Sequence, residues 1–485
     1  MFVGTHFAST NGILVIPSPP HCPPIQCMNV YEERRVKLLK RLPQSNLLII
    51  GNDFSPINYT DNAYPFRQDS TFLYFTGIKL PGLAIILDGN SQVTTLIGDP
   101  SGPDEIIWTG HQTDLKEIAF TAGIHKVISW ADFRNISADN VSYLPPYRAK
   151  HTQILQSLGI SDIKPSSALR DAVISMRQTK TKTEIEHMRE AARISSDMHR
   201  HVITTAKAGM HEYDLVAVAK HFSCARDLSM AYSPIITKNG HILHNHHYNN
   251  LLQEGDLVIN DSGVETKRGY CGDITRTFPV SGQFTPLQKD VYNAVLHGYN
   301  AAVEMAGPGI RFWDVHFGAA LAMVESLIHI GWMKGSAEDA VANGAHALFF
   351  PHGLGHMIGM DVHDMENLGE AFVGYAPPHE KSDQFGTKYL RLAKTLEPGF
   401  CLTIEPGIYI NPHLIARMKN DQKLHEFINF DILEQLDNFG GIRIEDNFVI
   451  TDTDIDNLDG SLAVEAAAIE SMREEALSLN SSAMQ

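Results

Sequence analysis

The sequence feature that most constrains the fold is a glutamate inside each of two apolar, β-branched runs in the second half of the chain. Glu405 lies in LTIEPGIYI and Glu445 in GIRIEDNFVI, at phases that turn both side chains inward. An unpaired carboxylate in a protein interior is costly. A fold that accepts these strands must therefore supply a positive partner. That partner is either a metal cation or a basic residue such as Arg443 in a core salt bridge.

A second acidic pair lies upstream, in VINDSGVETKRGYCGDITRTF. Asp261 and Asp273 stand twelve positions apart in two β-like runs separated by a turn rich in Gly, Lys and Arg. A hairpin would bring the two carboxylates side by side on one face. Because like charges repel, burial becomes tolerable if a cation sits between them. A solvated surface turn is the alternative interpretation of this pair.

Histidines supply the candidate nitrogen ligands. PHGLGHMIGMDVHD contains His352, His356 and His363, and the glycines around His356 favour a loop or bent strand over a zinc-binding helix. His356 can therefore donate one imidazole to an oxygen-rich site. Four more histidines crowd into seven residues, although a single histidine is more often solvated or packed in a core. These four are His241, His244, His246 and His247.

Taken together, two aspartates, two glutamates and one histidine carry four negative charges, which would neutralise two divalent ions. Hard oxygen donors with a single imidazole suit Mn²⁺, Co²⁺ or Zn²⁺ and exclude a soft thiolate site. Two bridged metal ions can lower the pKa of a shared water and polarise an amide carbonyl. The residues thus predict a binuclear hydrolytic site.

Composition narrows the remaining classes of function. A chain of 485 residues with 43% hydrophobic content can form two or three domains, and a formal charge of −17 argues against a nucleic-acid partner. Five scattered cysteines indicate neither a disulfide framework nor a zinc knuckle, which fits the cytoplasm. No stretch of about 18 apolar residues and no signal-peptide pattern is present, so we expect neither a membrane span nor secretion.

The chain divides into four segments, and the predicted fold class is α+β. Residues 1–27 are proline-rich and predict a flexible extension, with Met28 as an alternative start. Residues 28–175 predict an α/β domain with β-rich runs NLLIIG, TFLYFTG, LAIIL and VTTLIG. A polar helix leads into a second domain over 176–455, where Thr285 and Pro286 predict a helix start. Residues 456–485 predict a tail that forms a solvated helix or frays.

These segments resemble the pita-bread peptidases of the Xaa-Pro aminopeptidase, prolidase, methionine aminopeptidase and creatinase superfamily. The resemblance runs from about Tyr31 to Thr451 and includes FRQDSTFLYFTG in a creatinase-like N-terminal domain. It implies a pita-bread catalytic domain after that domain, with two metal ions, Mn²⁺ first and Co²⁺ or Zn²⁺ as alternatives. The five metal ligands of the family fall, in order, on Asp261, Asp273, His356, Glu405 and Glu445.

The resemblance also implies roles for neighbouring residues. His244 and His363 match histidines that contact substrate and stabilise the tetrahedral intermediate, and Glu405 matches the proton shuttle between water and leaving amine. Substrate-binding positions fall on His352, which shapes the pocket, and on Arg391 and Arg443.

The activity that the resemblance implies is removal of an N-terminal residue that precedes proline. The alternatives are a prolidase restricted to dipeptides and a catalytically silent binding protein of the same fold. The N-terminal domain argues against methionine aminopeptidase, and retention of all five ligands argues against metal-free creatinase and against a silent protein. Expected partners are a peptide with proline at its second position and further copies of the chain, as a homodimer or homotetramer.

The spacing of the aspartates departs from the family pattern, since Asp261 and Asp273 are one residue further apart than expected. A slip inside either strand would turn one acid away from the site. We therefore expect the extra residue to widen the turn around TKRG.

Overall fold

A computed structural model describes residues 29–102, 105–110, 113–134, 141–377, 380–436 and 438–482. The expected extension over 1–27 and the start at Met28 lie outside them. The helices are α1 Val30–Arg41, α2 Ser70–Thr76, α3 Glu105–Thr109, α4 Leu115–Thr121, α5 Trp130–Arg134, α6 Ala149–Ser157, α7 Ser167–Gln178, α8 Lys182–Thr205, α9 Glu212–Cys224, α10 Pro286–Met305, α11 Phe312–Ile330, α12 Ala337–Ala342, α13 Glu370–Gly374, α14 Pro412–Met418, α15 Phe430–Leu433 and α16 Ala466–Ser482.

Short strands alternate with these helices, and 3₁₀ turns cover Ala345–Leu348, Glu366–Leu368, Thr387–Tyr389 and Gln422–Glu426. The strands are β1 Asn46–Ile50, β2 Pro56–Tyr59, β3 Asn62–Ala63, β4 Ala84–Asp88, β5 Val93–Ile97, β6 Lys126–Ile128, β7 Val141–Tyr143, β8 Ser229–Met230, β9 Ile235–Thr237, β10 Leu257–Ser262, β11 Val264–Glu265, β12 Ile274–Pro279, β13 Cys401–Ile404, β14 Gly407–Tyr409, β15 Gly441–Arg443, β16 Asp446–Ile450 and β17 Ile455–Asn457.

The N-terminal domain is built on one mixed sheet, ordered β6-β5-β4-β1-β7. β1 pairs with β4 antiparallel and with β7 parallel, so its alternating side chains face opposite sides of the sheet. Leu47 and Ile49 join the main core, whereas Leu48 packs with Phe133 and Leu155 in a second cluster on the other face. Because both faces are covered, the sheet forms an α/β layer, as the β-rich runs predict.

One of those runs is not a strand: TFLYFTG forms helix α2. Asp69 caps its start by accepting a hydrogen bond from the Phe72 amide at 2.7 Å, and Gly77 ends it in a left-handed conformation with φ of 69°. Every residue of the helix is buried. A helix buried on all sides lacks the polar face that distinguishes it from a strand, which is why periodicity misassigned it.

The second domain contains two small antiparallel sheets, ordered β12-β10-β9 and β13-β16-β17. Reciprocal backbone bonds between Thr275 and Glu445 link the two sheets at their edges. β14 pairs with β15 in the same register in which β13 pairs with β16. The segment β13–β14 therefore runs antiparallel to the segment β15–β16, with a short interruption between the two strands of each segment. The segments that carry the two aspartates and the two glutamates therefore meet where the two sheets adjoin.

Long helices cover the outside of these sheets. α8 begins with a capping box between Thr181 and Glu184, and α10 begins at the expected Thr285 cap with Pro286 in its first turn. α7 spans the expected domain boundary at 175/176, and the next break in the helices is at Thr179. Across the ranges that the structure describes, no helix combines the length and apolar character needed to cross a membrane.

The C-terminal helix α16 differs from the expected solvated tail. Ile469 and Ala466 are buried, and the side chain of Arg473 is completely buried against the second domain. Arg473 donates to the carbonyl oxygens of Ile203, Ala206, Pro279 and Val280 at 2.6 to 3.0 Å. These carbonyls end α8 and β12, so partners distant in sequence dock the helix.

Replacing Arg473 with methionine is expected to lower the free energy of unfolding by about 3 kcal/mol, because four buried carbonyls lose a charged donor. Urea denaturation followed by tryptophan fluorescence measures this change. Arg193→Met is the control, since that side chain is 61% exposed on α8, and it should cost about 0.5 kcal/mol or less. Equal losses for the two variants would refute the docking role.

Candidate metal centre

The structure brings all five predicted ligands into one cavity of about 700 Å³, in which Asp261, Asp273, His356, Glu405 and Glu445 share the wall. Ligand atoms of Asp273, His356 and Glu445 lie within 4.8 Å of one another. Glu405 places its Oε1 3.7 Å from His356 Nε2. The Tyr232 hydroxyl joins Asp261 to this group, because it contacts Oδ1 of Asp261 at 2.6 Å and Oδ1 of Asp273 at 2.5 Å.

The aspartates lie on one face of the β10–β12 hairpin. Asp261 pairs with Thr275, so Asp273, two residues before Thr275, occupies the diagonal position on the same face. The register is unbroken from Leu257 to Ser262, which pairs with Ile274, so the turn lies between these two residues. There Gly263 approaches Gly272 so closely that a Cβ at Gly263 would stand 1.8 Å from the Gly272 oxygen. The pairing of Asp261 with Thr275 thus places both acids on the face that lines the cavity.

His356 is held on a bent extended segment next to β13. Its carbonyl accepts the Thr403 amide at 2.9 Å, and its own amide donates to Thr403 Oγ1 at 3.1 Å. This contact needs Gly355, where a Cβ would meet the Thr403 oxygen at 2.0 Å. Nδ1 lies 3.0 Å from the Met357 carbonyl oxygen. Since that carbonyl can only accept, Nδ1 carries the proton and Nε2 is left to face the carboxylates.

The two glutamates lie opposite each other where strand pairing is interrupted. Ile404 pairs with Asp446, and the same register continued by one residue places Glu405 across from Glu445. The Thr275 hydroxyl donates to Oε2 of Glu445 at 2.6 Å. Arg443 is not the partner of Glu445 that a core salt bridge would need. Its Nη2 instead lies 2.5 Å from Oδ2 of Asp261.

Crowding and burial shift the pKa values of the groups in this cluster. Burial raises the pKa of Glu405 to about 7, against the opposing charges of His356 and Arg443. Burial together with Asp273 raises the pKa of Glu445 well above its usual value. Although burial opposes it, contact with Asp273 and Glu405 raises the pKa of His356 to about 9. Protons on Glu405, Glu445 and His356 thus reduce the negative charge at the place where the sequence predicts cations.

The donor set fits divalent metal ions. Four carboxylates and one imidazole converge from separate segments, and three of the carboxylates, Asp261, Glu405 and Glu445, have raised pKa values that a nearby positive charge would relieve. Hard oxygen donors dominate, as Mn²⁺, Co²⁺ and Zn²⁺ sites accept. The two cysteines of the catalytic domain that are buried, Cys271 and Cys401, lie outside the cavity wall.

The other predicted site residues also line this cavity: His244, His352, His363, Arg391 and Arg443. The ring centroid of His363 lies 4.1 Å from that of His356. Its Nδ1 lies 3.1 Å from Oε2 of Glu366, the carboxylate that Arg391 also contacts at 2.6 Å. Of the crowded histidines, His246 reaches the cavity as well, whereas His241 lines a neighbouring pocket.

Sequence reasoning missed the hydroxyl groups that hold the site. Tyr232 bridges the aspartates, and Tyr409 contacts both His352 Nε2 and Arg443 Nη1 at 2.8 Å. The carboxylate of Glu366 joins His363 to Arg391. Tyr409 follows Glu405 in a predicted strand, which offered a local signal. Tyr232 had none, because its partners lie 29 and 41 residues away.

Comparison with protein families finds two matches in this chain. Residues 186–452 match the model of metallopeptidase family M24, and residues 31–144 match the aminopeptidase P N-terminal domain. The human Xaa-Pro dipeptidase is 31% identical over 90% of this chain and 91% of its own. A probable Xaa-Pro aminopeptidase of Botryotinia fuckeliana is 33% identical over 83% of this chain and 86% of its own.

A solved structure has the same architecture. Escherichia coli aminopeptidase P with the inhibitor Pro-Leu superposes with a TM-score of 0.77 at 28% identity, over 93% of this chain and 99% of that one. A zinc-substituted form of that protein, in complex with product, matches equally well. The similarity covers both domains, and it agrees with the pita-bread fold and the preceding N-terminal domain.

Metal binding is expected to strengthen as the pH rises from about 6 to about 8, because the ions must displace protons from Glu405, Glu445 and His356. Calorimetric titration in two buffers of different ionisation heat measures the protons released. Glu405→Gln removes one titrating group, so fewer protons should leave when this variant binds metal. Affinity that does not change with pH would contradict the arrangement.

Proposed function

Because the chain belongs to metallopeptidase family M24, we propose that it is a binuclear metal-dependent Xaa-Pro aminopeptidase. It would hydrolyse the bond between an N-terminal residue and a following proline. The observation that carries this proposal is the convergence of Asp261, Asp273, His356, Glu405 and Glu445 in one cavity. Relatives named as Xaa-Pro peptidases, similar over most of their length, support the choice of substrate class.

The five convergent residues would hold the metal ions, with Mn²⁺ as the first expectation and Co²⁺ or Zn²⁺ as alternatives. When bound, two such ions lower the pKa of a water molecule and polarise the scissile carbonyl. Thr275 and Tyr232 hold the carboxylates in place, and Arg443 neutralises the outer oxygen of Asp261.

Glu405 is suited to carry the proton. Burial raises its pKa to about 7, so the carboxyl group can both accept and return a proton near neutral pH. In this proposal it takes the proton of the attacking water and gives it to the leaving proline nitrogen. His352 Nδ1 lies 3.9 Å from Oε2 of Glu405, and the Tyr409 hydroxyl fixes the ring of His352 from the other side.

The two histidines on the cavity wall are suited to bind the substrate. The Nδ1 of His363 faces Glu366, and the contact with His363 lowers the pKa of that carboxyl to about 2 against the effect of burial. An ionised Glu366 can only accept, so Nδ1 holds the proton and orients the ring. His244 lines the cavity with His363. We propose that both contact the peptide carbonyl and stabilise negative charge that develops on its oxygen.

The ion pairs that Arg391 makes within the protein favour longer peptides over dipeptides as substrates. A dipeptide presents a free carboxylate next to its proline, and an unpaired arginine would bind it well. Here Arg391 already contacts the carboxylates of Glu366 at 2.6 Å and Glu370 at 3.3 Å. A substrate carboxylate must compete with these two acids. The second candidate is an Xaa-Pro dipeptidase, which the similarity to the human Xaa-Pro dipeptidase over most of both chains favours.

Substrate length distinguishes the two activities. We expect the Mn²⁺-loaded protein to hydrolyse an Xaa-Pro-Xaa tripeptide with a kcat/KM about tenfold or more above that for the Xaa-Pro dipeptide. Quantification of the released N-terminal amino acid measures both rates. A preference for the dipeptide would support the dipeptidase instead. Absence of hydrolysis of either peptide, with metal bound, would exclude both and leave a silent binding protein.

Asp273→Asn is expected to lower kcat/KM at least about a hundredfold, because the amide cannot supply the charge that the metal ions need. The fold should persist, since asparagine has nearly the same volume. Elemental analysis of bound metal, circular dichroism and peptide hydrolysis are measured on one preparation. Asp290→Asn, an exposed change on α10, is the matched control. Unchanged turnover in Asp273→Asn would refute its role.

Two further expectations belong to the proposal. Location in the cytoplasm rests on the scattered cysteines and is tested by cell fractionation. Assembly as a homodimer or homotetramer rests on resemblance and is tested by analytical ultracentrifugation.

A further inference from the structure

A short loop, Met357–Asp364, connects the ligand His356 to His363, and charged groups from outside the catalytic domain hold it. We propose that Arg67 and Ser70 of the N-terminal domain are positioning residues for the reaction. They hold Asp361, and through Asp361 they fix the loop that places His363 beside the metal centre. The proposal rests on the proposed function, because it assigns the N-terminal domain a part in that same site.

Arg67 contacts two segments that carry residues of the cavity wall, the Met357–Asp364 loop and the aspartate hairpin. Its Nη2 lies 2.5 Å from the Met360 carbonyl oxygen and its Nη1 3.3 Å from Oδ1 of Asp361. Its Nε donates to Oε2 of Glu265 at 2.9 Å. Glu265 belongs to the turn between Asp261 and Asp273. One guanidinium from the N-terminal domain therefore ties the His363 loop to the aspartate hairpin.

Ser70 and two further cations complete the contact. The Ser70 hydroxyl donates to Oδ1 of Asp361 at 2.6 Å. Arg177 donates to Oδ2 of Asp361 at 3.0 Å and to Oδ1 of Asp364 at 2.7 Å, and Lys180 reaches Oδ2 of Asp364 at 3.0 Å. Arg177, Lys180 and Asp364 are at most 2% exposed. Each carboxylate of the loop thus has a buried positive partner and a defined position.

Hydrogen bonds within the loop tie its two ends together. The Asp364 amide donates to the Met357 carbonyl at 2.9 Å, and the Gly359 amide donates to the Asp361 carbonyl at 3.1 Å. Gly359 packs so tightly that a Cβ there would lie 2.5 Å from Asp364 Oδ2. A displacement of Asp361 is therefore transmitted to the adjoining His363. That ring lies 4.1 Å from the His356 ring, so a small shift changes the cavity.

A double-mutant cycle between Arg67 and His363 tests the positioning role. Arg67→Met should lower kcat on a Xaa-Pro-Xaa tripeptide about ten- to hundredfold, with a smaller change in KM and unchanged metal content. In a His363→Ala background the same substitution should have little further effect, because the group it positions is gone. Equal losses in both backgrounds would overturn the proposal, since they indicate a structural role unrelated to His363.

Matched variants separate positioning from loss of stability. Arg34→Met breaks another buried ion pair between the domains, with Glu184 at 3.0 Å, and among the described residues Arg34 bonds Glu184 and the Tyr74 carbonyl, not the loop. It should reduce the unfolding temperature yet keep kcat within about twofold of wild type. Ser70→Ala removes only the hydroxyl, which contacts Arg67, Met360 and Asp361, and serves if Arg67→Met does not fold. Arg67→Lys should have a higher kcat than Arg67→Met, because lysine retains the charge. It should remain below wild type, because lysine cannot contact Glu265, Met360 and Asp361 together.

Hydrogen exchange provides a readout that does not need peptidase activity. In Arg67→Met the amides of Ile358, Gly359 and Asp364 should exchange at least about tenfold faster, whereas those of β12 should be unchanged. Unchanged exchange in the loop would overturn the proposal whatever the activity. Faster exchange in a protein that hydrolyses no Xaa-Pro peptide would instead show that the proposed function fails while the contact holds.

Discussion

The mutual repulsion of four carboxylates inside one cavity is the constraint on which the rest of the structure depends. Buried acids at this spacing cannot all be ionised without nearby positive charge. In the metal-free protein His356 becomes more basic, and Glu405 and Glu445 retain protons. Divalent ions would replace those protons. The same electrostatic demand that makes the cluster costly to fold thus gives it affinity for metal and a carboxyl group that titrates near neutral pH.

Strand pairing places these acids together without a dedicated loop. Asp261 lies opposite Thr275, Thr275 is bonded to Glu445, and Glu445 lies across from Glu405. His356 is joined by a backbone hydrogen bond to Thr403, which lies in β13 shortly before Glu405. Backbone hydrogen bonds from Glu405 to Leu354 and from Glu445 to Thr275 hold the ligand positions in place where strand pairing is interrupted, which lowers the entropic cost of binding an ion.

A second layer of contacts orients the side chains, and it comes from distant parts of the chain. Hydroxyl groups of Tyr232, Thr275 and Tyr409 bond the outer atoms of the site. The N-terminal domain adds Arg67 and Ser70, which reach the loop before His363. The fold therefore joins two domains through charged contacts close to the cavity, while the apolar cores of sheet and helices provide the stability behind them.

The sequence by itself indicated the candidate ligand set and most strands, because an acid that interrupts an apolar β-branched run is a local conflict that the sequence shows. Asp261, Glu405 and Glu445 each carry that signal, and the glycines around His356 exclude a helix. Local patterns failed where neighbours decide the outcome: α2, buried on all faces, resembles a strand, and α16 resembles a solvated tail. Only the tertiary structure could pair Arg443 with Asp261 instead of Glu445, or bring Tyr232 and Arg67 to the site. Such contacts join residues far apart in sequence, and packing of whole strands and domains sets their distances.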